Sequence, residues 1–517
     1  MRIKSASLSK EELKRKILEE KLKGTPDLEI GQKYGVSFKF IEKVITQFQG
    51  VNISNLSMLN TVKKIKSFSP KNFKEETTTV WSFKQRGNWA THSNEYRGNW
   101  SPYIPRNIIL KYSKPGELVL DYFCGGGTTA IEAKLLGRRF IGIDINPKAI
   151  ELAKRNVSFE LPHQMYLFDE KTQQQIFEPI LKVGDARDLS FLQNVSVDLI
   201  CAHPPYANII HYTNSKQGDL SFYEVDEFLK EMFKVAKESY RVLKPGRKCV
   251  ILIGDIRRKR YIIPLGFKLL DVYLNAGFKL KELIIKRQHN CKTTGFWYKK
   301  SIKYNFLLLA HEYLPVFEKP EFESSSIVRE KKVNYVSEVS IFEKKLKYKK
   351  KINKLETTTV WVLPQKDFEE RLNKNVIERY SHGKKYLIFD FASSNNENYK
   401  LKKEKNVNLV FIKSSFLNKS MNYFEIENYL NEIRNLVFKK ISNIVENGFL
   451  VIQTKDVRVD GYIEPLAKRI IDLLLCDSLY LKEVVIITSE YSDITFSTST
   501  QHLEIVHQYL LVYEVKK

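Results

Sequence analysis

The sequence predicts an α/β protein: a doubly wound parallel sheet, with a small helical domain before it and a second, eroded α/β domain after it. Three observations predict this. Short apolar runs alternate with helical stretches across the central part of the chain, which is the pattern of a parallel sheet covered by helices on both faces. A triple glycine, Gly125-Gly126-Gly127, sits between one such run and the helix that follows it. A set of residues from the central region returns at a fixed offset nearer the carboxyl end, the mark of an internal duplication. The expected domains are a helical domain at 1–50, a linker at 51–76, the central α/β domain at 77–320, a charged linker at 321–355 and the eroded copy at 356–517.

The elements follow in order. A helical run opens around Glu11-Glu12-Leu13-Lys14 and breaks at Gly24-Thr-Pro26, and Asp27–Tyr34 forms a second short helix. Gly35-Val-Ser37 makes a tight turn before a third helix at Phe38–Phe48. Helix, glycine-containing turn and a helix opening after serine is the helix-turn-helix pattern, though a three-helix packing cap with no DNA role fits the same residues. Leu118–Asp121, Phe140–Asp144, Val183–Asp185, Val197–Cys201 and Cys249–Ile253 read as buried strands, and Glu132–Leu136, Pro147–Asn156, Asp226–Leu243 and Leu265–Ala276 as helices between them. Lys344-Lys345-Leu-Lys347-Tyr-Lys349-Lys350-Lys351 suits a solvated linker.

The duplication is explicit. Glu76-Thr-Thr-Thr-Val-Trp81 recurs as Glu356-Thr-Thr-Thr-Val-Trp361. Phe222–Leu229 is echoed by Tyr423–Leu430, and at the same spacing Asp255, Arg257, Tyr261, Pro264, Leu265, Lys281 and Glu282 return as Asp456, Arg458, Tyr462, Pro465, Leu466, Lys482 and Glu483.

Composition bounds the function. The 517 residues include 85 Lys and Arg against 60 Asp and Glu, a formal charge of +25, which suits a polyanionic partner such as nucleic acid. With 43% hydrophobic and 28% charged residues the chain is globular in composition. No apolar run approaches the roughly 18 residues that span a bilayer, and the basic start leads into a charged helix, which argues against a secretory signal. Cys124, Cys201, Cys249, Cys291 and Cys476 are scattered singly, against a disulfide framework or a cysteine-rich zinc module. A soluble cytoplasmic protein, associated with the nucleoid and not with a membrane, is expected.

Two motifs carry chemistry. The first is Asp121-Tyr-Phe-Cys-Gly125-Gly126-Gly127-Thr128-Thr129, where a doubly wound sheet binds nucleotides; glycines let the backbone turn sharply and approach a ligand. Asp144 ends the next strand, 23 residues after Asp121, where a carboxylate takes ribose hydroxyls, and Asp185 ends a third strand, placed for an adenine ring. The loop lacks the Gly-Lys-Ser/Thr ending of a triphosphate-binding loop. The second motif is the apolar strand ending in His203-Pro204-Pro205-Tyr206. The prolines fix the backbone and leave carbonyls without local amide partners, so these acceptors can grip an amino group while the tyrosine ring stacks on a planar base.

Asp-x-Phe-x-Gly-x-Gly followed by (Asp/Asn/Ser)-Pro-Pro-(Tyr/Phe) resembles the signature of the DNA amino-methyltransferases, which make N6-methyladenine or N4-methylcytosine from S-adenosyl-L-methionine. The resemblance runs through 77–318 and implies a Rossmann-like methyltransferase sheet, with the motif order of one permutation class of that family. It implies that Asp121, Phe123, Gly125, Gly127 and Thr128 hold the cofactor's methionine and backbone region, with Asp144 on its ribose and Asp185 on its adenine. Arg97-Gly-Asn-Trp100-Ser101-Pro102 resembles the segment that closes over the methionine end, and His203 to Tyr206 stand as the catalytic tetrad. One residue departs: His203 replaces the usual Asp, Asn or Ser. A neutral imidazole accepts an amino hydrogen and a protonated one cannot, so activity should fall in acid, and the choice between adenine and cytosine stays open. C5 methylation, which needs a Pro-Cys nucleophile, is disfavoured, and Cys201 before the tetrad reads as core.

The segment 286–303 holds six basic residues, no acid, and Phe296, Trp297 and Tyr298. Lys286, Arg287, Lys292, Trp297, Lys299 and Lys300, with Arg257 and Arg258, are the expected nucleic-acid contacts, and Asn208, His211 and Tyr212 lie in the loop after the tetrad. His289 and Cys291 lack the companions of a metal site, so none is expected. The second copy reads Lys413-Ser-Ser-Phe416 where the first has its tetrad, and Leu387–Ser394 carries no glycine. Only 18 residues separate Asp390 from Asn408, against 77 between Asp121 and Asp198, so the strands carrying the ribose and adenine carboxylates should be missing and this half should bind no cofactor. Double-stranded DNA is the expected partner, with a cognate restriction endonuclease in view; a tRNA guanine-N2 methyltransferase, or a DNA-binding regulator with a vestigial fold, are the competing readings.

Overall fold

The computed structural model describes residues 9–22, 25, 27–37, 40–41, 44, 65–161, 176–207, 212–213, 218–289, 301, 304–321, 339–343, 356–393, 405–414, 421–490 and 502–517. They divide into two compact units, 1–74 with 86–251, and 75–85 with 252–517, a division that falls inside the 77–320 stretch.

The first unit begins with helices α1 (Lys10–Leu22) and α2 (Asp27–Tyr34). Ile17, Ile30, Tyr34, Ile41 and Val44 form their common core, with Ile41 and Val44 from the expected third helix; most of 38–48 lies outside the described residues. After strand β1 (Val80–Ser82), which belongs to the second unit, come α3 (Tyr103–Tyr112), β2 (Leu118–Asp121), α4 (Thr128–Leu135), β3 (Arg139–Asp144), α5 (Pro147–Val157), β4 (Ile180–Val183), β5 (Val197–Ala202), α6 (Val225–Val242) and β6 (Leu243–Ile251). Within this unit the strand order is β6-β5-β2-β3-β4, every pair parallel. Helices connect the parallel strands, as such pairs require. All six residues of β5 are buried, as expected of a central strand covered on both faces. Its one charge, Asp198, accepts from the Leu118 amide (3.0 Å) and Lys244 (2.7 Å), tying together the amino-terminal ends of β2, β5 and β6. Asn146 caps α5 through the Lys148 amide, with Pro147 in the first turn. In α6, Phe228, Met232, Val235 and Ser239 recur at helical spacing and are buried. The expected strand at Val183–Asp185 is corrected to Ile180–Val183, leaving Asp185 on the loop beyond it.

The second unit holds β1, the hairpin β7 (Ile256–Arg258) and β8 (Tyr261–Ile263), α7 (Leu265–Asn275), β9 (Lys279–Arg287) and β10 (His311–Glu318), then the eroded copy. β1 runs parallel to β9, and β9 antiparallel to β10. The eroded copy contributes β11 (Val339–Glu343), β12 (Val360–Leu363), α8 (Phe368–Ser381), β13 (Tyr386–Ser393), β14 (Val407–Lys413), α9 (Tyr423–Lys440), β15 (Ile444–Thr454), the hairpin β16 (Val457–Val459) and β17 (Tyr462–Glu464), α10 (Leu466–Leu473), β18 (Leu479–Ser489) and β19 (His507–Val515). Its sheet has the order β11-β13-β14-β15-β19-β18-β12. β12 runs parallel to β18 and β18 antiparallel to β19, repeating β1, β9 and β10. No parallel strand follows β13 on its outer side: that edge is taken by β11, antiparallel, so counterparts of β3 and β4 are absent among the described residues. β11 falls inside the expected charged linker, where it pairs with β13.

The repeated hexapeptide makes the same local structure twice. The Trp81 indole donates to the Thr78 carbonyl (3.0 Å) and that of Trp361 to the Thr358 carbonyl (2.9 Å), and both rings are fully buried. Trp361→Ala should therefore cost about 3–5 kcal/mol of stability by loss of buried surface and an unfilled cavity, read as a lower urea midpoint with unchanged slope; a midpoint within error of the parent contradicts this packing.

Candidate active site

Because β2 and β5 are neighbouring parallel strands, paired at Val119 with Leu199 and at Leu120 with Ile200, the loops leaving their carboxyl-terminal ends emerge side by side. One loop is the glycine turn at 122–127 and the other is His203–Tyr206. Both line one cleft of about 690 Å³, open to solvent. Of the expected site residues, Trp100, Asp121, Phe123, Gly125, Asp144, Asp185, His203 and Pro205 line it.

The glycine turn is shaped by two carboxylates. Asp144 accepts from the Gly125 amide (3.0 Å) and the Asn146 amide (2.9 Å), so the end of β3 holds the loop leaving β2. Asp121 accepts from the Phe123 amide (3.0 Å) and the Thr129 hydroxyl (2.6 Å). Burial, with Asp144 nearby, pushes the Asp121 carboxyl up to about 7 against these hydrogen bonds. Gly125 has φ +49°, and a Cβ there would stand 2.8 Å from the Tyr96 ring; Gly127 has φ +83° and faces Ala153 of α5. Any side chain would collide and sit in the left-handed region.

Asp185 lies under a guanidinium. Arg187 donates to both its carboxylate oxygens, Nε to Oδ1 at 2.9 Å and a terminal nitrogen to Oδ2 at 2.6 Å, and also pairs with Glu231. The Asp185 side chain stays 34% exposed at the pocket wall, which leaves it reachable by a ligand. At the other wall the Trp100 ring stacks on the His203 imidazole, centroids 5.7 Å apart and planes 21° apart. His203 Nε2 and the Tyr206 hydroxyl share a 2.9 Å hydrogen bond. Where Nε2 donates to the tyrosine oxygen, the neutral imidazole keeps Nδ1 as its one acceptor nitrogen. Pro204 is buried behind the pair, and Cys201, in the core of β5, has its thiol pushed up by burial.

Five expected cofactor and tetrad positions, Ser101, Gly127, Thr128, Pro204 and Tyr206, stand behind the wall. The Ser101 hydroxyl donates to the Arg86 carbonyl (2.7 Å), Gly127 caps α4, Thr128 is buried on α4, and Thr129, not Thr128, makes the contact to Asp121. Tyr206 reaches the site through His203. Tyr96, Ile145 and the turn Gly218–Leu220 also line the cleft and carried no sequence motif, and Asn99 lines it from the segment quoted with Trp100. Tyr96 and Tyr212 stack at 5.9 Å, closing one side.

The segment that supplies Tyr96, Asn99 and Trp100 is anchored at a distance. Glu132 on α4, fully buried, accepts from the Trp89 indole (2.6 Å) and Arg106 (2.9 Å) and bonds the His92 ring at 2.7 Å. No sequence motif announced this anchor, because its partners Trp89, His92 and Arg106 lie 26 to 43 residues before Glu132.

The expected nucleic-acid residues fare differently. Arg257 is corrected: its guanidinium is committed to Glu483 and to the carbonyls of Leu307 and Lys482. Lys286 pairs with Glu312 at 2.7 Å, a second structural commitment on β9. Arg258 and Arg287 are half-buried on β7 and β9. Lys292, Trp297, Lys299 and Lys300 lie outside the described residues, as do Asn208, His211 and Cys291. The described residues hold no cluster of three or more His, Cys, Asp or Glu side chains arranged for a metal, and no helix long and apolar enough to cross a membrane. In the eroded copy, Lys413 pairs with Glu369 and the Ser414 hydroxyl meets Tyr429 at 2.9 Å, so those positions are built into packing.

A family model described as a DNA methylase matches residues 38–155 and 197–411, and one described as a methyltransferase domain matches 113–255. The chain is 45% identical over 58 residues to the type II methyltransferase M2.DpnII of Streptococcus pneumoniae, 11% of this chain and 22% of that protein. It is 36% identical over 80 residues to the type II methyltransferase M.BglI of Bacillus subtilis, 15% and 23% of the two chains. It is also 37% identical over 112 residues to a tRNA (guanine(10)-N2)-dimethyltransferase of Methanothermobacter thermautotrophicus, 22% and 29%. The matches thus span between a fifth and a third of these relatives' lengths.

Two outcomes follow from the geometry. Glu132→Ala should lower stability by about 3–5 kcal/mol, because it strips a buried guanidinium and indole of their acceptor; a change under 1 kcal/mol in urea unfolding contradicts the anchor. Asp121→Asn should be pH-dependent in its effect. The folded Asp121 stays protonated to about pH 7 while the unfolded one ionises near 3.8, so the parent loses stability as pH rises between those values. The variant, which does not titrate, should gain on the parent from pH 4 to 8, and a constant difference contradicts the assignment.

Proposed function

Because the chain belongs to the N6/N4 DNA methylase family, we propose that it transfers the methyl group of S-adenosyl-L-methionine to an exocyclic amino group, adenine N6 or cytosine N4, of a base turned out of duplex DNA. The observation that carries the reading is the shared cleft: the glycine turn and the His203-Pro204-Pro205-Tyr206 loop line one pocket from adjacent strand ends. The residues fit the cofactor. Gly125 brings bare backbone to the pocket wall, packed so closely under Tyr96 that no Cβ fits there. Asp144 and Asp185 face the pocket as acceptors for ribose and adenine, and the stacked Trp100 and Tyr96 supply aromatic walls. When bound, the cofactor supplies an electrophilic methyl on sulfur.

The chain's own residues do the rest. An aromatic amine is a weak nucleophile because its lone pair is delocalised into the ring. Acceptors on its hydrogens return density to the nitrogen, and His203 with the carbonyls beside Pro204 and Pro205 are those acceptors. Pro204 and Pro205 carry no amide hydrogen, so their loop presents oxygens without competing local donors. Methylation forms an N–C bond, breaks the C–S bond and leaves the amine one proton in excess. The neutral imidazole of His203 receives that proton, and Tyr206, bonded to it at 2.9 Å, holds the ring in place. The type II relatives support a role beside a cognate restriction endonuclease, with the protein acting on DNA at the nucleoid. The tRNA relative supports a second reading, methylation of guanine N2 through the same tetrad.

Incubation with methyl-labelled cofactor and either mixed-sequence duplex DNA or tRNA, followed by digestion to nucleosides, separates the readings. We expect N6-methyldeoxyadenosine or N4-methyldeoxycytidine, a rate that falls from pH 8 to 5.5, and a loss of about 100-fold or more in His203→Ala and Tyr206→Ala with cofactor binding retained. Label confined to tRNA guanine, or variants at the parental rate, would refute the proposal.

A further inference from the structure

Inside the second unit the two copies exchange contacts reciprocally. Arg257 of the first copy reaches Glu483 and the Lys482 carbonyl of the second. Arg458, its counterpart in the second copy, reaches Glu282 (2.6 Å) and the Lys281 carbonyl (2.8 Å) of the first. The exchange extends to the hexapeptide strands. Thr79 bonds His507 of the second copy at 2.8 Å, and Thr359 bonds His311 of the first at 2.8 Å. The hairpins follow the same rule: the Tyr261 ring meets Tyr480, and Tyr462 lies against Lys279 and Lys281. In each case residue i touches j, and the counterpart of j touches the counterpart of i, which is the signature of an isologous two-fold interface.

We infer that residues 356–517 occupy, within a single chain, the place of the second subunit of a symmetric dimer, so that the face carried by residues 75–85 and 252–318 is closed to another copy of the chain. Burial makes the closure stringent. Glu282 and Glu483 are 2% and 1% exposed, and each is compensated by an arginine from the other copy, so separating the copies would strand two carboxylates. The duplication kept this arginine and this glutamate in both copies while the tetrad and the glycine turn were lost from the second. The retained positions are thus those that hold the copies together.

Charge reversal in the full-length chain tests this. Arg257→Glu and Glu483→Arg should each lower the melting temperature by roughly 5 °C or more, and the cross-copy double variant should recover at least half of the loss. The same-copy pair, Arg257→Glu with Glu282→Arg, should recover none, because its members face different partners. Recovery in the same-copy pair, or none in the cross-copy pair, overturns the inference. Where a reversal yields no soluble protein, Arg257→Gln and Glu483→Gln take its place, with a double loss smaller than the sum expected and strict additivity contradicting it. Sedimentation of the parent at micromolar concentration should give one chain per particle; a dimer that Arg458→Glu dissociates would overturn the inference by placing the pairs between chains.

Discussion

The candidate site rests on one buried carboxylate at the end of a strand. Asp144 receives the Gly125 amide, and through that bond β3 dictates the path of the loop leaving β2. The loop has little freedom otherwise, since Tyr96 fills the space beside Gly125 and Ala153 the space beside Gly127. The same carboxylate lines the pocket, so the group that sets the backbone shape also faces the cleft. Anything that moved Asp144 would alter the cradle and its polar wall together.

The second constraint is the packing of the overlying segment. Residues 89–107 contain no regular element before α3, and loops of that kind need anchors to present side chains accurately. Glu132 provides the anchor from inside α4, drawing in Trp89, His92 and Arg106. Trp100 is thereby held over His203 and Tyr96 over the glycine turn. The fold supplies position on one side of the pocket through strand ends and on the other through a buried ionic knot.

What the sequence made legible was local. Left-handed glycines after a strand and paired prolines after another are demands of backbone geometry within a few residues, and both motifs reach the expected cleft. The parallel sheet was legible from periodicity, with β4 displaced because Lys182 and Val183 are exposed and weaken the apolar pattern there. Long-range pairing was not legible. Arg257 looked like a phosphate contact because it stands in a basic run, but its partner Glu483 is 226 residues away. Tyr96 and Glu132 carried no motif because their roles arise from tertiary contacts. Repetition of Arg257 and Glu282 was visible in the chain, whereas their exchange across copies needed three dimensions.

The first copy carries the pocket, and the account leaves the second with the reciprocal pairs of the second unit and no cofactor site of its own. Equilibrium titration of the full chain with S-adenosyl-L-methionine tests this account most directly. It predicts one site per chain, abolished by Gly125→Val, which places branched atoms against Tyr96. No binding, two sites, or one site indifferent to Gly125→Val would contradict it.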